Sequence, residues 1–206
     1  MKAFNLLIIA LIFNIATGKC QSQSLMIHSQ ADSTTIKANR LKRLYLLSTS
    51  SSNGNADIYK LQFFDAFPNT FKELNEIYGY ETNKPSPLYF EAEPHIYELF
   101  NNLNNINDTL YYRKIISIAI GGRWDADAVN MFQEGLRKRV LNNLELTIYL
   151  LKRMADDKIS SFWYFYFDGV HPEKEIPEAL LKLTTLNKHI YDLMIESQKK
   201  VLKNSE

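Results

Sequence analysis

The 206 residues carry 24 Lys and Arg against 23 Asp and Glu, a formal charge of +1, so no whole-face field attracts DNA or RNA and nucleic acid is not expected as a partner. A single cysteine, Cys20, excludes an internal disulfide and any Cys-based metal site. Twelve Phe, twelve Tyr and two Trp supply a core, while seven Gly and six Pro are too few for the turns of a β-sandwich.

The N-terminus has the form of a secretory signal peptide. Lys2 gives a short positive region, and Leu6 to Phe13 form an unbroken apolar run. That run is shorter than the roughly 20 residues a membrane span needs. Small residues allow cleavage after Gly18 or after Cys20, and the polar Gln21-Ser22-Gln23-Ser24 that follows favours the second. A lipid anchor at Cys20 would want a small residue at position 19, where Lys19 stands. The expected product is exported to the periplasm or beyond, without a membrane span. Two of the basic residues, Lys2 and Lys19, go with a signal at 1–20, leaving 22 basic residues against 23 acidic ones, a formal charge of −1.

Residues 21–56 read as a flexible polar linker, with the low-complexity run Ser48 to Asn55 at its end. Within it, Ile36 to Leu47 could also form a short helix whose Lys37, Arg40, Lys42 and Arg43 dock on the domain or on an acidic surface. Residues 57–206 then read as one helical domain. Asp57 can cap a helix that Phe67-Pro68-Asn69 breaks. Thr70 to Glu73 fits a capping box for a helix that Gly79 stops. Ser86-Pro87 restarts a helix, and Pro94 breaks or restarts it. After an Asn-rich loop, Asp108 can cap a helix to Ile120, apolar all round at its end, which Gly121-Gly122 terminates.

Asp125 can cap the next helix, whose stripe of Val129, Phe132, Leu136 and Val140 continues through Leu144, Ile148 and Leu151 after a bend at Asn142-Asn143. The unbroken run Phe162 to Phe167 could pair as a strand. Yet Ile159, Phe162, Trp163, Tyr166 and Phe167 recur at helical spacing, which predicts a central helix. A loop leads to one last long helix opened by Ile176-Pro177-Glu178. The sum is an all-α fold, an irregular multi-helix bundle with an aromatic-rich core.

Three constellations could carry chemistry. Gly121-Gly122-Arg123-Trp124-Asp125-Ala126-Asp127 joins a flexible turn, two binding-prone side chains in Arg123 and Trp124, and two acids that can hold water or a cation. It lacks the Lys-Ser/Thr of a phosphate loop, and glycine C-cap with Asp N-cap is the simpler role. Glu91 and His95 stand four apart, as two metal ligands on a helix would, but Pro94 lies between them. Asp168 and His171 could orient each other for acid–base work, or Asp168-Gly169 simply turns the chain. No nucleophile elbow, zinc-protease motif or EF-hand is present. No metal or cofactor is nominated.

The phrases Phe63 to Asn69, Ile118 to Ala128 and Phe162 to Gly169 resemble those of uncharacterised exported proteins of the Bacteroidota. The resemblance covers most of the chain after the signal and implies export but no activity. Two functions are therefore expected. The first is a binding protein of the cell envelope that holds or neutralises a protein partner. The second is a hydrolase whose site joins Asp125, Asp127, His95, Asp168 and His171, which requires those groups to converge on one substrate atom.

Overall fold

The computed structural model describes residues 33–50, 55–81 and 83–205, so the expected signal peptide, the first part of the expected linker and residues 51–54 of its low-complexity end lie outside the described residues. Helices dominate, and the fold is an all-α bundle. Residues 33–50 are helical (α1). This shortens the expected flexible linker: Ala38, Leu41, Leu44 and Ser48 recur every three or four residues and are all buried in the core. The basic face of α1 docks on acids of the domain itself, Lys37 on Glu73 at 2.9 Å and Lys42 on Glu91.

α2 (Ala56–Ala66) buries Phe63 and Phe64 and ends before Pro68. Asn55 stands at its N-cap without a side-chain bond, so Asp57 is a first-turn acid, not the cap. α3 (Phe71–Tyr78) carries the capping box in shifted form. The Thr70 hydroxyl accepts from Glu73 N at 3.2 Å, but the Glu73 carboxylate reaches past the cap to Asn69 N at 2.8 Å. That bond, followed by the one from Lys37, pulls the Glu73 carboxyl below its ordinary pKa. Gly79 closes the helix where a Cβ would meet Asn75 O at 2.6 Å.

A two-residue antiparallel pair, β1 (Tyr80–Glu81) and β2 (Lys84–Pro85), follows, with Tyr80 opposite Pro85. Ser86 does not cap a helix. Its hydroxyl donates to Asn75 O, and a 3₁₀ turn at Tyr89–Glu91 leads into α4 (Ala92–Asn101). Pro94 is the third residue of α4, where its missing N–H has no helical partner to lose.

Asn107, one residue before the expected Asp108, caps α5 (Asp108–Ala119) through Thr109 N and Leu110 N. α6 (Ala128–Asn142) starts three residues after the expected cap, and Asn143 both ends it and caps α7 (Leu144–Leu151) through Leu146 N. α8 (Asp156–Phe167) is the aromatic helix. It buries Phe165 as well as the expected stripe of Ile159, Phe162, Trp163, Tyr166 and Phe167. The last long helix is broken into α9 (Glu178–Leu181), α10 (Leu183–Leu186) and α11 (Lys188–Asn204). Thr184 and Thr185 turn their hydroxyls onto carbonyls three residues back. Asn187, in extended conformation, then starts α11 by accepting from Ile190 N.

α11 lies along α8, which also packs on α5 and α6, while α4 crosses α6. Phe165 joins these layers: its ring sits 5.6 Å from that of Phe71 and 6.3 Å from that of Phe132. At the α4–α6 crossing, a Cβ on Gly135 would meet the Phe100 ring at 2.3 Å, so only glycine allows this approach. Among the described residues no helix is long and apolar enough to cross a membrane.

Candidate functional site

The 120–127 loop is held by α8 and its end. Gly121, at φ 82°, donates its N–H to Ser161 Oγ at 2.8 Å, and Gly122 lies so close to the Phe165 ring that a Cβ would meet it at 2.6 Å. Trp124 N donates to Asp168 Oδ2 at 2.7 Å, and Gly169 N donates to Asp168 Oδ1 at 3.1 Å. The Asp168 carboxylate is thus occupied by backbone donors. The end of α8 is finished from α6: Gln133 Nε2 and an Arg137 guanidinium N–H both donate to Asp168 O, at 2.7 and 3.1 Å, and Arg137 Nε donates to Tyr166 O at 2.7 Å. Trp124 is half-buried and gives its indole N–H to Asn130 Oδ1 at 3.2 Å.

Neither acid of the loop caps α6 with its side chain. Asp125 is exposed and accepts from Ala126 N at 2.8 Å. Asp127 takes the N-cap position with φ 54° and ψ −115°, a left-handed φ disfavoured for a side-chain-bearing residue, and its carboxylate accepts from the Tyr89 hydroxyl at 2.5 Å. That bond raises the Tyr89 phenol above its ordinary pKa. His171 lies exposed in the loop after α8. The structure therefore brings Trp124 and Asp168 together, and each acid already serves its own turn or neighbour.

His95 belongs to another part of the molecule. It is buried on α4 among Tyr45, Phe63 and Tyr78, with ring centroids 4.4, 5.7 and 5.8 Å away, and its Nδ1 shares a hydrogen bond of 2.9 Å with the Tyr78 hydroxyl. Burial pushes its pKa down to about 4, so the ring is neutral. Glu91, its sequence partner, accepts from Lys42 instead. His95 shares no hydrogen-bond partner with Asp125, Asp127, Asp168 or His171. Among the described residues no three His, Cys, Asp or Glu side chains gather as a metal site requires.

Two features escape a reading of motifs. Lys114 on α5 is pushed down to about 8 by burial, yet it donates to Phe67 O and Asn69 Oδ1 at 2.8 Å and to Asp65 O at 3.4 Å, so it clamps the end of α2. The other is a groove of about 470 Å³ between α4 and α6. Its lining is mixed: Ile96, Phe100, Met131 and Gly135 are its apolar part, and Glu93, Asn101, Glu134, Lys138, Arg139 and Asn142 are the polar part. Tyr97 at its edge is 61 % exposed, and Phe90, seven residues earlier, is 81 % exposed. The signal in the sequence is spacing: Glu93, Tyr97 and Asn101 form the stripe that Ile96, Leu99, Phe100 and Leu103 leave outward. No family model, curated protein or solved structure matches the chain.

Proposed function

We propose that the chain is an exported helical binding protein of the cell envelope, periplasmic or extracellular, that holds and thereby neutralises a protein partner along the α4–α6 groove. The observation that carries this reading is the groove itself, with Tyr97 of its lining left standing in solvent and Phe90 exposed in the turn that leads into α4. An exposed aromatic at the edge of a cleft with some apolar surface is a common anchor of a protein interface. The mixed charge of Glu93, Glu134 and Lys138 suits a partner segment of both signs around an apolar side chain. Export rests on Lys2, the run Leu6 to Phe13 and the small residues before Gln21. The hydrolase reading has no comparable support, because His95 stands apart from the four other groups and the acids already have local partners.

The test is capture of envelope proteins with the wild-type chain and with the double variant Phe90→Ser, Tyr97→Ser. A defined partner retained by the first and lost by the second, at unchanged melting temperature, supports the reading. Equal capture by both, or none by either, overturns it. N-terminal sequencing of the exported product checks the other half, with Gln21 expected first and a modified Cys20 as the contrary result.

A further inference from the structure

Arg123 was singled out by its sequence context, and the groove makes no use of it. It faces a second, open pocket of about 490 Å³ between the 120–127 loop, α8 and α11. We propose that this pocket binds a tetrahedral oxyanion, the phosphoryl or sulfuryl group of an ester.

Three cations line it: Arg123, Lys200 and Lys203. None of them forms an ion pair within the described residues, whereas Lys37, Lys42, Lys72 and Lys188 each do. The guanidinium of Arg123 is not a free surface charge. It lies over the Tyr164 ring, 4.1 Å from its centroid, and one N–H donates to Gly122 O at 2.9 Å. Stacking and that bond fix the plane of the fork while leaving its remaining N–H groups to a ligand.

Two hydroxyls in the lining are also turned into donors. Ser161 Oγ accepts from Gly121 N at 2.8 Å, and the Tyr164 hydroxyl accepts from Asn204 Nδ2 at 3.2 Å. With a lone pair spent on the protein in each case, the O–H protons are left to give. Ser197 is not part of this set, since its hydroxyl already donates to Ser160 O and Leu193 O. Asp157 is the one carboxylate in the lining.

A fork, two ammonium groups and two hydroxyl donors suit a group with three peripheral oxygens better than a carboxylate with two. The space exceeds what a bare oxyanion fills, so the remainder of an ester, such as a sugar ring, has room.

The test is titration of the protein with inorganic phosphate, sulfate and acetate at constant ionic strength, followed by backbone NMR shifts. Saturable shifts are expected at Gly121, Arg123, Ser161, Lys200 and Asn204 with phosphate or sulfate, and none that saturate with acetate. Arg123→Gln and the pair Lys200→Gln, Lys203→Gln should each weaken binding about tenfold or more. Asp157→Asn should tighten it about twofold to fivefold by removing the opposing charge. Glucose 6-phosphate and glucose 6-sulfate then tell which ester is preferred: saturable binding of either at these residues supports the site, and binding of neither overturns it. Equal binding of acetate, shifts scattered over the surface, or unchanged affinity in Arg123→Gln at wild-type melting temperature would overturn the proposal. The Phe90, Tyr97 variant should bind these anions normally, which separates this outcome from that of the groove.

Discussion

Helices α8 and α1 are held by opposite means. α8 buries Ile159, Phe162, Trp163, Phe165, Tyr166 and Phe167, and leaves the side with Asp157, Ser160, Ser161 and Tyr164 facing outward. α1 buries a single stripe, Ala38, Leu41, Leu44 and Ser48, and leaves its basic face to Glu73 and Glu91. Its Tyr45 ring lies against His95, whose neutrality depends on burial. Apolar burial is indifferent to pH and little changed by salt, whereas charge pairs and a neutral imidazole are sensitive to both. The edge helix is therefore the one that its surroundings can loosen.

The largest effect should come from the centre. Phe165→Ala removes the ring that joins Phe71, Phe132 and Gly122, and should cost ~3–5 kcal/mol in chemical denaturation. A loss below about 1 kcal/mol would mean that Phe165 does not tie these layers together. Leu41→Ala should cost ~2–4 kcal/mol, and amide exchange should rise in residues 38–48 before it rises in α8. If both helices open together, the contrast between them fails.

Acid sharpens the contrast next. Burial pushes the His95 imidazole from its ordinary 6.5 down to about 4 in the fold, so the unfolded chain binds the extra proton in between. Its contribution is complete above pH 6.5 and is lost as pH falls to about 4, up to ~3 kcal/mol in all. Denaturation curves between pH 7 and 5 should show this slope, and His95→Phe should remove most of it. The smallest effect belongs to the surface pair. Lys37→Ala should cost only ~0.2–1 kcal/mol in low salt, with the difference gone in about 1 M salt.

Much of this architecture is written in local chemistry. Thr70, Gly79 and Asn143 mark helix ends because their side chains or lack of one act within a few residues, and the spacing of Ile159, Phe162, Trp163 and Tyr166 shows a helix despite their strand preference. The errors have a common cause. Ser86 looks like a cap, but its hydroxyl finds a distant partner, Asn75 O, and the cap position expected of Asp125 falls to Asp127, whose carboxylate turns instead to the distant Tyr89 hydroxyl. The serine-rich setting of α1 hid a helix whose stripe is only three apolar residues and one serine wide. The candidate sites fared alike: Asp168 and Arg123 were visible as residues, but their partners Trp124 N, Arg137, Lys200 and Lys203 come from other elements.

The finish that Gln133 and Arg137 give to α8 also bears on the order of folding. The carbonyls of Tyr166 and Asp168 take their donors from α6, about thirty residues earlier in the chain. The last turn of this aromatic helix thus stays frayed until α6 has docked, and such a long-range closure is slow relative to helix formation itself. In kinetic experiments, substitutions at Gln133 and Arg137 should speed unfolding more than they slow folding, with φ-values low beside those of the α8 aromatics. The residues that complete this helix would then be among the last to arrive.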